Sequence, residues 1–204
     1  GKEEENMLSK VDVITEALAQ EKAGVFLFNE RHWLRKSSGR EEATARAGSP
    51  CEGCAAGALL YGWLCKTDST VHMDEIDVRL YFGAVAQGLD GLFTEEELLQ
   101  LDAAYTGRLS EDDLDIRDIL DGHQVELPLL RALCWGLHRW GGRTKCGSME
   151  MLAQDDVRGR ELLQHMLQHD GKLVIPELSG EQCLTFLSTE EWPLEEEKGG
   201  TAPA

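Results

Sequence analysis

Long hydrophobic runs are missing from this sequence. The longest apolar stretch, residues 55–64, is interrupted by glycines and has about half of the roughly 18 to 20 residues that a helix needs to cross a bilayer. The first ten residues, GKEEENMLSK, also lack the basic start and apolar stretch of a secretory signal. We therefore expect neither membrane insertion nor secretion, and we predict a cytoplasmic protein.

Basic residues are scarce. Lysine and arginine number 20 against 38 aspartates and glutamates, for a net charge of -18. The charge is segregated, since residues 68–121 hold 15 acids and three bases, and residues 149–204 hold 12 and four. Such a chain repels DNA, RNA and anionic lipid, so we expect no direct binding to nucleic acid or membrane. Acidic faces instead suit cations, basic proteins or imitation of a phosphate backbone.

One basic segment departs from this pattern. Residues 131–146 interleave arginines and a lysine with Trp135 and Trp140, a mixture that can stack on and neutralise a nucleotide. The same tryptophans also suit the core face of a helix.

The sequence also has no pattern of cysteines that indicates disulfide bonds. The six cysteines are even in number, but they are spread through a chain that is large enough to fold without covalent crosslinks. We therefore expect reduced thiols at Cys51, Cys54, Cys65, Cys134, Cys146 and Cys183.

Hydrophobic spacing predicts a mainly α fold. Apolar residues recur every three or four positions, as at Leu8, Val11, Ile14 and Leu18, which places them on one helical face. The same reasoning, with capping boxes at Thr94 and Ser179, predicts helices over residues 6–20, 72–88, 94–105, 110–120, 126–140, 155–169 and 180–187.

Only two segments read as strands, residues 24–28 and residues 172–176, and they could pair with each other. We therefore predict a single globular helical domain over residues 1–192, with at most a minimal two-stranded sheet. The polar residues 36–50 are expected to form an exposed loop, and residues 193–204 a disordered tail.

The stretch SPCEGCAAGALLYGWLC, residues 49–65, has three interpretations. As a packing helix it places Cys54, Ala58, Tyr61 and Cys65 on one face, and its small residues permit close approach of another backbone. As a catalytic helix, its free N–H groups would favour a thiolate at Cys54, with a histidine such as His138 as the base.

The third interpretation is a structural zinc site. Cys51 and Cys54 have the spacing of a chelating pair, and Cys134 and His138, one helical turn apart, could complete a tetrahedral set. A second pair of cysteines at the same spacing is missing, and Cys134 also lies beside an apolar stripe that suits a core. We therefore expect no cofactor, with zinc as the alternative.

Three resemblances bear on these interpretations. The segment PCEGCAA, residues 50–56, resembles the CGSCWA segment of papain-like proteases, which implies that Cys54 is the nucleophile. In those proteases an aromatic residue follows the nucleophile, and this sequence has alanine at that position.

Residues 102–113 resemble a degenerate EF-hand loop with Asp102 first and Asp113 last. Its third position is Ala104, which cannot bind calcium, so a tight turn before a capped helix is expected.

The third resemblance covers residues 31–62. His32-Trp33, Gly39 and the run from Cys54 to Leu59 are similar to a signature of small uncharacterised actinobacterial and phage proteins. This similarity implies a bacterial or viral origin and an accessory role, with no particular activity.

The leading hypothesis from the sequence is a binding protein rather than an enzyme. The acidic segment 68–121 would engage a basic surface of a partner protein through Asp112, Asp113, Asp115 and Asp118. In a phage or mobile element, such a protein could inhibit a nucleic-acid-binding protein by imitating phosphate charge.

Overall fold

A computed structural model describes residues 7–37, 44–72, 78–109, 114, 116–143, 149–151 and 153–195. Helices dominate these residues, which confirms the prediction of a mainly α fold. The eight described helices are α1 (Lys10–Lys22), α2 (Ala55–Thr67), α3 (Val78–Gly88), α4 (Glu95–Thr106), α5 (Ile116–Leu120), α6 (Leu127–Trp140), α7 (Asp155–Gln168) and α8 (Gly180–Thr189).

Local sequence signals account for where several helices begin. Both predicted capping boxes are confirmed, because Thr94 and Ser179 each accept a hydrogen bond from the backbone N–H three residues later. Helix α1 begins with a third box at Ser9. The helix predicted over residues 72–88 is described only from Val78, and His72 ends a strand. The helix predicted over residues 110–120 is described only from Ile116.

The prediction of at most two strands was wrong. Strands β1 (Phe26–Phe28), β2 (Leu34–Lys36) and β4 (Cys51–Gly53) form a mixed sheet in the order β1-β4-β2. Strand β4 runs parallel to β1 and antiparallel to β2. Two antiparallel pairs are also present, β3 (Thr44–Arg46) with β5 (Thr70–His72) and β6 (Gly141–Arg143) with β7 (Met149–Met151).

The predicted strand 172–176 is not a strand. The Val174 N–H donates to Nε2 of His165 at 3.0 Å, so the segment folds back along α7 and does not pair with β1. The exposed loop predicted over residues 36–50 is also partly wrong. Lys36 ends β2, and Ala45 lies buried in β3 against the core, while residues 38–43 lie outside the described part of the chain.

Helix α2 lies at the centre of the larger hydrophobic cluster. Every residue from Ala55 to Gly62 is buried, and α1 packs closely along the helix. A Cβ atom at Gly62 would lie 2.5 Å from the Val13 carbonyl oxygen of α1, so only glycine permits this approach. The predicted role of small residues in backbone contact is therefore confirmed.

A second hydrophobic cluster lies among α5, α6, α8 and the end of α4. Helices α4 and α6 contribute residues to both clusters. A Cβ atom at Gly136 would overlap the Ala104 carbonyl, so the backbones of α6 and α4 touch there. The described helices include none whose length and hydropathy would let it span a membrane. The predicted disordered tail falls mostly outside the described residues, which end at Glu195.

Candidate functional site

Cys54 occupies the N-cap of α2, as the sequence predicted for the start of this helix. Its extended backbone, φ -74° and ψ -179°, precedes the first helical turn. Its Sγ atom accepts a hydrogen bond from the Gly57 N–H at 3.4 Å and donates one to the Trp33 carbonyl at 3.5 Å. The side chain is only 1% exposed. The thiol therefore caps the helix inside the core rather than facing solvent.

The segment before β2 covers this thiol. The Cys54 N–H donates to the carbonyl oxygens of His32 and Trp33. A Cβ atom at Gly57 would overlap the Trp33 carbonyl oxygen, so the peptide after Trp33 lies directly on the first turn of α2. Access to Cys54 would require this segment to lift away from the helix.

His138, the predicted base, packs against the aromatic rings of Trp192 and Phe186. Its ring stacks on Trp192 with the centroids 4.0 Å apart and meets the edge of Phe186 at 6.2 Å. Phe186 belongs to the second hydrophobic cluster, whereas Cys54 belongs to the first. The structure thus places the two proposed catalytic residues against different cores.

The proposed zinc ligands are likewise distributed. Cys51 lies in β4 beside Tyr61 and Cys65, and burial raises the pKa of its thiol to about 11. Cys134 lies in the second cluster, on α6. In the part of the chain that is described, no three His, Cys, Asp or Glu side chains come close enough to share a metal ion. These four residues therefore do not form a tetrahedral set in this arrangement.

Cys134 has a different partner, Cys183 of α8. The Cys134 Sγ lies 3.7 Å from the Cys183 carbonyl oxygen, and both side chains are fully buried. A hydrogen bond from Cys134 to the Cys183 thiol raises the pKa of Cys134 and lowers the pKa of Cys183. Arg131 also lowers the pKa of Cys183. The pair ties α8 to α6.

The segment that resembles an EF-hand begins inside a helix. Asp102 and Thr106 belong to α4, where the Thr106 hydroxyl donates to the Asp102 carbonyl at 2.9 Å. Gly107 follows as a left-handed C-cap with φ 67°. The expected turn is confirmed, and because its first half is helical the segment does not have the course of a calcium loop. Asp113 lies outside the described residues.

The predicted acidic surface is only partly described. Asp112, Asp113 and Asp115 lie outside the described residues, whereas Asp118 is exposed on α5. Helix α5 packs against α8. Leu120 at the end of α5 and Leu184 on α8 each leave 41% of their surface exposed. Acidic side chains are exposed on the same two helices at Asp118 and Glu181, and just after α5 at Asp121.

Sequence reasoning missed a buried arginine. Arg158 of α7 is 3% exposed and donates from Nε to the Tyr105 carbonyl and from Nη1 to the Ala153 carbonyl. Its Nη2 donates to Glu30 at 3.0 Å and to Asp155 at 2.9 Å. The spacing of Asp155 and Arg158 hinted at a local ion pair. Nothing in the sequence pointed to Glu30.

Comparison of the chain with protein-family models, with curated proteins and with solved structures found no match. The resemblances noted in the sequence therefore stay predictions.

Proposed function

We propose that this protein is a non-enzymatic binding protein whose acidic, partly apolar α5–α8 face holds a basic amphipathic segment of a partner protein. We use the name α5–α8 face for the exposed residues Leu120 and Leu184 together with Asp118, Asp121 and Glu181. The observation that carries the proposal is the exposure of two leucines on two packed helices within an acidic setting. Exposed leucines supply apolar area for binding, and the carboxylates select a basic partner.

The charge around this face supports a basic occupant. Residues 177–191 carry four glutamates and no lysine or arginine. The whole chain has a net charge of -18, which attracts a cationic partner over a distance and repels nucleic acid. A nucleic-acid-binding protein, whose own surface is basic, has the chemistry that fits this face. An inhibitor of such a protein is the role we propose in a phage or mobile element.

A rigid support beneath the face favours binding without large rearrangement. Helix α8 is anchored in the second hydrophobic cluster by its buried residues Cys183, Phe186 and Leu187. Trp192 packs on Phe186 with the ring centroids 5.3 Å apart, which holds the chain beyond the helix in place. Preorganised surfaces lose less conformational entropy when they bind.

A pair of defined peptides tests the proposal. One is an amphipathic helix of leucine and lysine, and the other has glutamate in place of each lysine. Fluorescence anisotropy should show saturable binding of the lysine peptide, weakened by salt because charged groups are screened. The glutamate peptide should not bind.

Two double variants locate the binding surface. Glu181→Lys with Leu184→Ser should weaken binding by about tenfold or more, the effect expected for a central contact. Glu95→Lys with Leu27→Ser makes the same two changes at exposed positions on α4 and β1 and should leave the affinity unchanged. Equal losses in both variants, or equal binding of the two peptides, would contradict the proposal.

A further inference from the structure

A cavity of about 270 Å³ opens between α1, α4 and α7. Its polar wall is formed by Lys10, Glu97, Gln100 and Lys172, and its apolar wall by Met166 and Leu173. The cavity involves neither α5 nor α8, so the inference drawn from it does not rest on the proposed function. Its volume lies below the range of about 300 to 1,000 Å³ typical of drug-sized ligands, so it suits a smaller molecule.

The turn after α7 leads into two residues of the cavity lining, Lys172 and Leu173. Asp170 and Gly171 both have left-handed backbones, with φ 56° and 86°. The Gly171 N–H donates to the Met166 carbonyl at 2.7 Å, which ends the helix. A Cβ atom at Gly171 would overlap the Lys10 side chain, so this turn presses against the stem of Lys10. Lys172 and Leu173 follow directly and reach the cavity.

The charges in the cavity favour an anion. Lys10 and Lys172 are positive and Glu97 is negative, which makes this a locally positive site in a strongly acidic protein. Glu97 is already occupied, because its two oxygens accept hydrogen bonds from the Lys10 ammonium at 2.7 Å and from the Thr94 N–H at 3.2 Å.

The cavity lining has further hydrogen-bond donors. Among the described residues, the side chains of Gln100 and Lys172 have no hydrogen-bond or ion-pair partner. Lys10 has three N–H donors, of which Glu97 takes one, and its ammonium lies 5.3 Å from the centre of the Phe93 ring. Two ammonium groups and an amide are thus available to a ligand.

We propose that this cavity binds a small monocarboxylate with an apolar tail, such as a medium-chain fatty acid anion. The carboxylate lies between Lys172 and Lys10 and accepts a hydrogen bond from the Gln100 amide. The tail lies on Met166 and Leu173, which both line the cavity, and Leu173 packs against the larger cluster.

Methionine methyl NMR measures this binding directly. The chain has five methionines, so labelling their methyl carbons gives five signals, and Met166→Leu identifies the one from the cavity. Octanoate should shift the Met166 signal in a saturable manner. Octan-1-ol and octylamine, which share the tail but lack the carboxylate, should bind more weakly by about tenfold, since charge-assisted hydrogen bonds are lost.

Charge removal tests the role of the lysine. Lys172→Gln should raise the octanoate Kd by about three- to tenfold. Lys22→Gln removes the same charge from an exposed position about 18 Å along α1 from Lys10, and should leave the Kd unchanged. A Met166 signal that octanoate does not move would overturn the proposal. Equal binding of octanol, or equal Kd values for Lys172→Gln and the unsubstituted protein, would also overturn it.

Discussion

The Nη2 atom of Arg158 lies 3.0 Å from a carboxylate oxygen of Glu30, although 128 residues separate them in the sequence. Through this contact and its bonds to the Tyr105 and Ala153 carbonyls, the guanidinium joins α7 to the end of α4 and to the segment between β1 and β2. A buried charge with this many partners is costly to remove, because every partner loses its donor.

Arg158→Met should therefore lower the free energy of unfolding by about 3 kcal/mol, measured by urea denaturation. Arg35→Met provides the matched control, since Arg35 pairs with Glu52 but keeps 44% of its side chain exposed. Exposed ion pairs contribute about 0 to 1 kcal/mol, so the control should change little. Equal losses in the two variants would show that Arg158 acts only as an ordinary surface charge.

Two glycine substitutions should have opposite effects. Gly57→Ala introduces a methyl group into the Trp33 carbonyl and should destabilise the protein by about 1 to 3 kcal/mol. Gly83→Ala, in α3, meets no atom closer than 3.9 Å and should stabilise it by about 0.5 to 1 kcal/mol, because alanine favours helix. Thermal unfolding of both variants checks the prediction, and the same sign for both would contradict it.

Acidification should weaken the fold through His165. Burial, with the nearby His169 and Arg139, lowers its pKa to about 4 from the ordinary 6.5. The unfolded chain therefore binds more protons between these two values, and stability falls as the pH drops from about 6.5 towards 4.

The variant His165→Gln should show a smaller loss of stability over this range than the unsubstituted protein. Glutamine can still accept the hydrogen bond that Nε2 accepts from Val174 but does not titrate. His123→Gln, at an exposed position, should keep the original pH dependence. An unchanged slope in His165→Gln would contradict this assignment.

Native alkylation should reach Cys65 before the other described cysteines. Cys65 is partly exposed, whereas Cys51, Cys54, Cys134 and Cys183 are buried. With a pKa of about 11, Cys51 is about 0.1% thiolate at pH 8. Peptide mapping after iodoacetamide treatment of the Cys146→Ser variant checks the order. Rapid labelling of Cys54 near pH 6 would instead support the nucleophile hypothesis.

Much of the helical content could be predicted from the sequence, because its signals are local. The capping boxes of α4 and α8 and the apolar stripe of α6 fix those helices within one or two residues. Strand β1 lies within the predicted strand 24–28, but the other strands could not be predicted in the same way. Each has three residues, too few to show alternation, and the pairing of Phe26 with Cys51 joins segments far apart in the chain.

The site was less predictable than the fold. The start of a helix near Cys54 could be predicted from the residues around it, but the cover provided by Trp33 depends on how the segment before β2 folds over α2. The exposure of Leu120 and Leu184 on two helices that pack together could not be predicted, because no local pattern specifies the packing of α5 against α8. The segregation of charge in the sequence indicated an acidic region, but it did not indicate which exposed apolar residues lie there.

The contacts among Trp33, Cys54 and Gly57 have an evolutionary consequence. The Trp33 carbonyl oxygen accepts hydrogen bonds from both the N–H and the thiol of Cys54. It also leaves no room for a side chain at position 57. A lineage that replaced the glycine would have to move the peptide after Trp33 and so lose the partner of the thiol. Relatives of this chain should therefore retain Cys54 and Gly57 together or change both, and this covariation offers a way to recognise them when overall similarity is low.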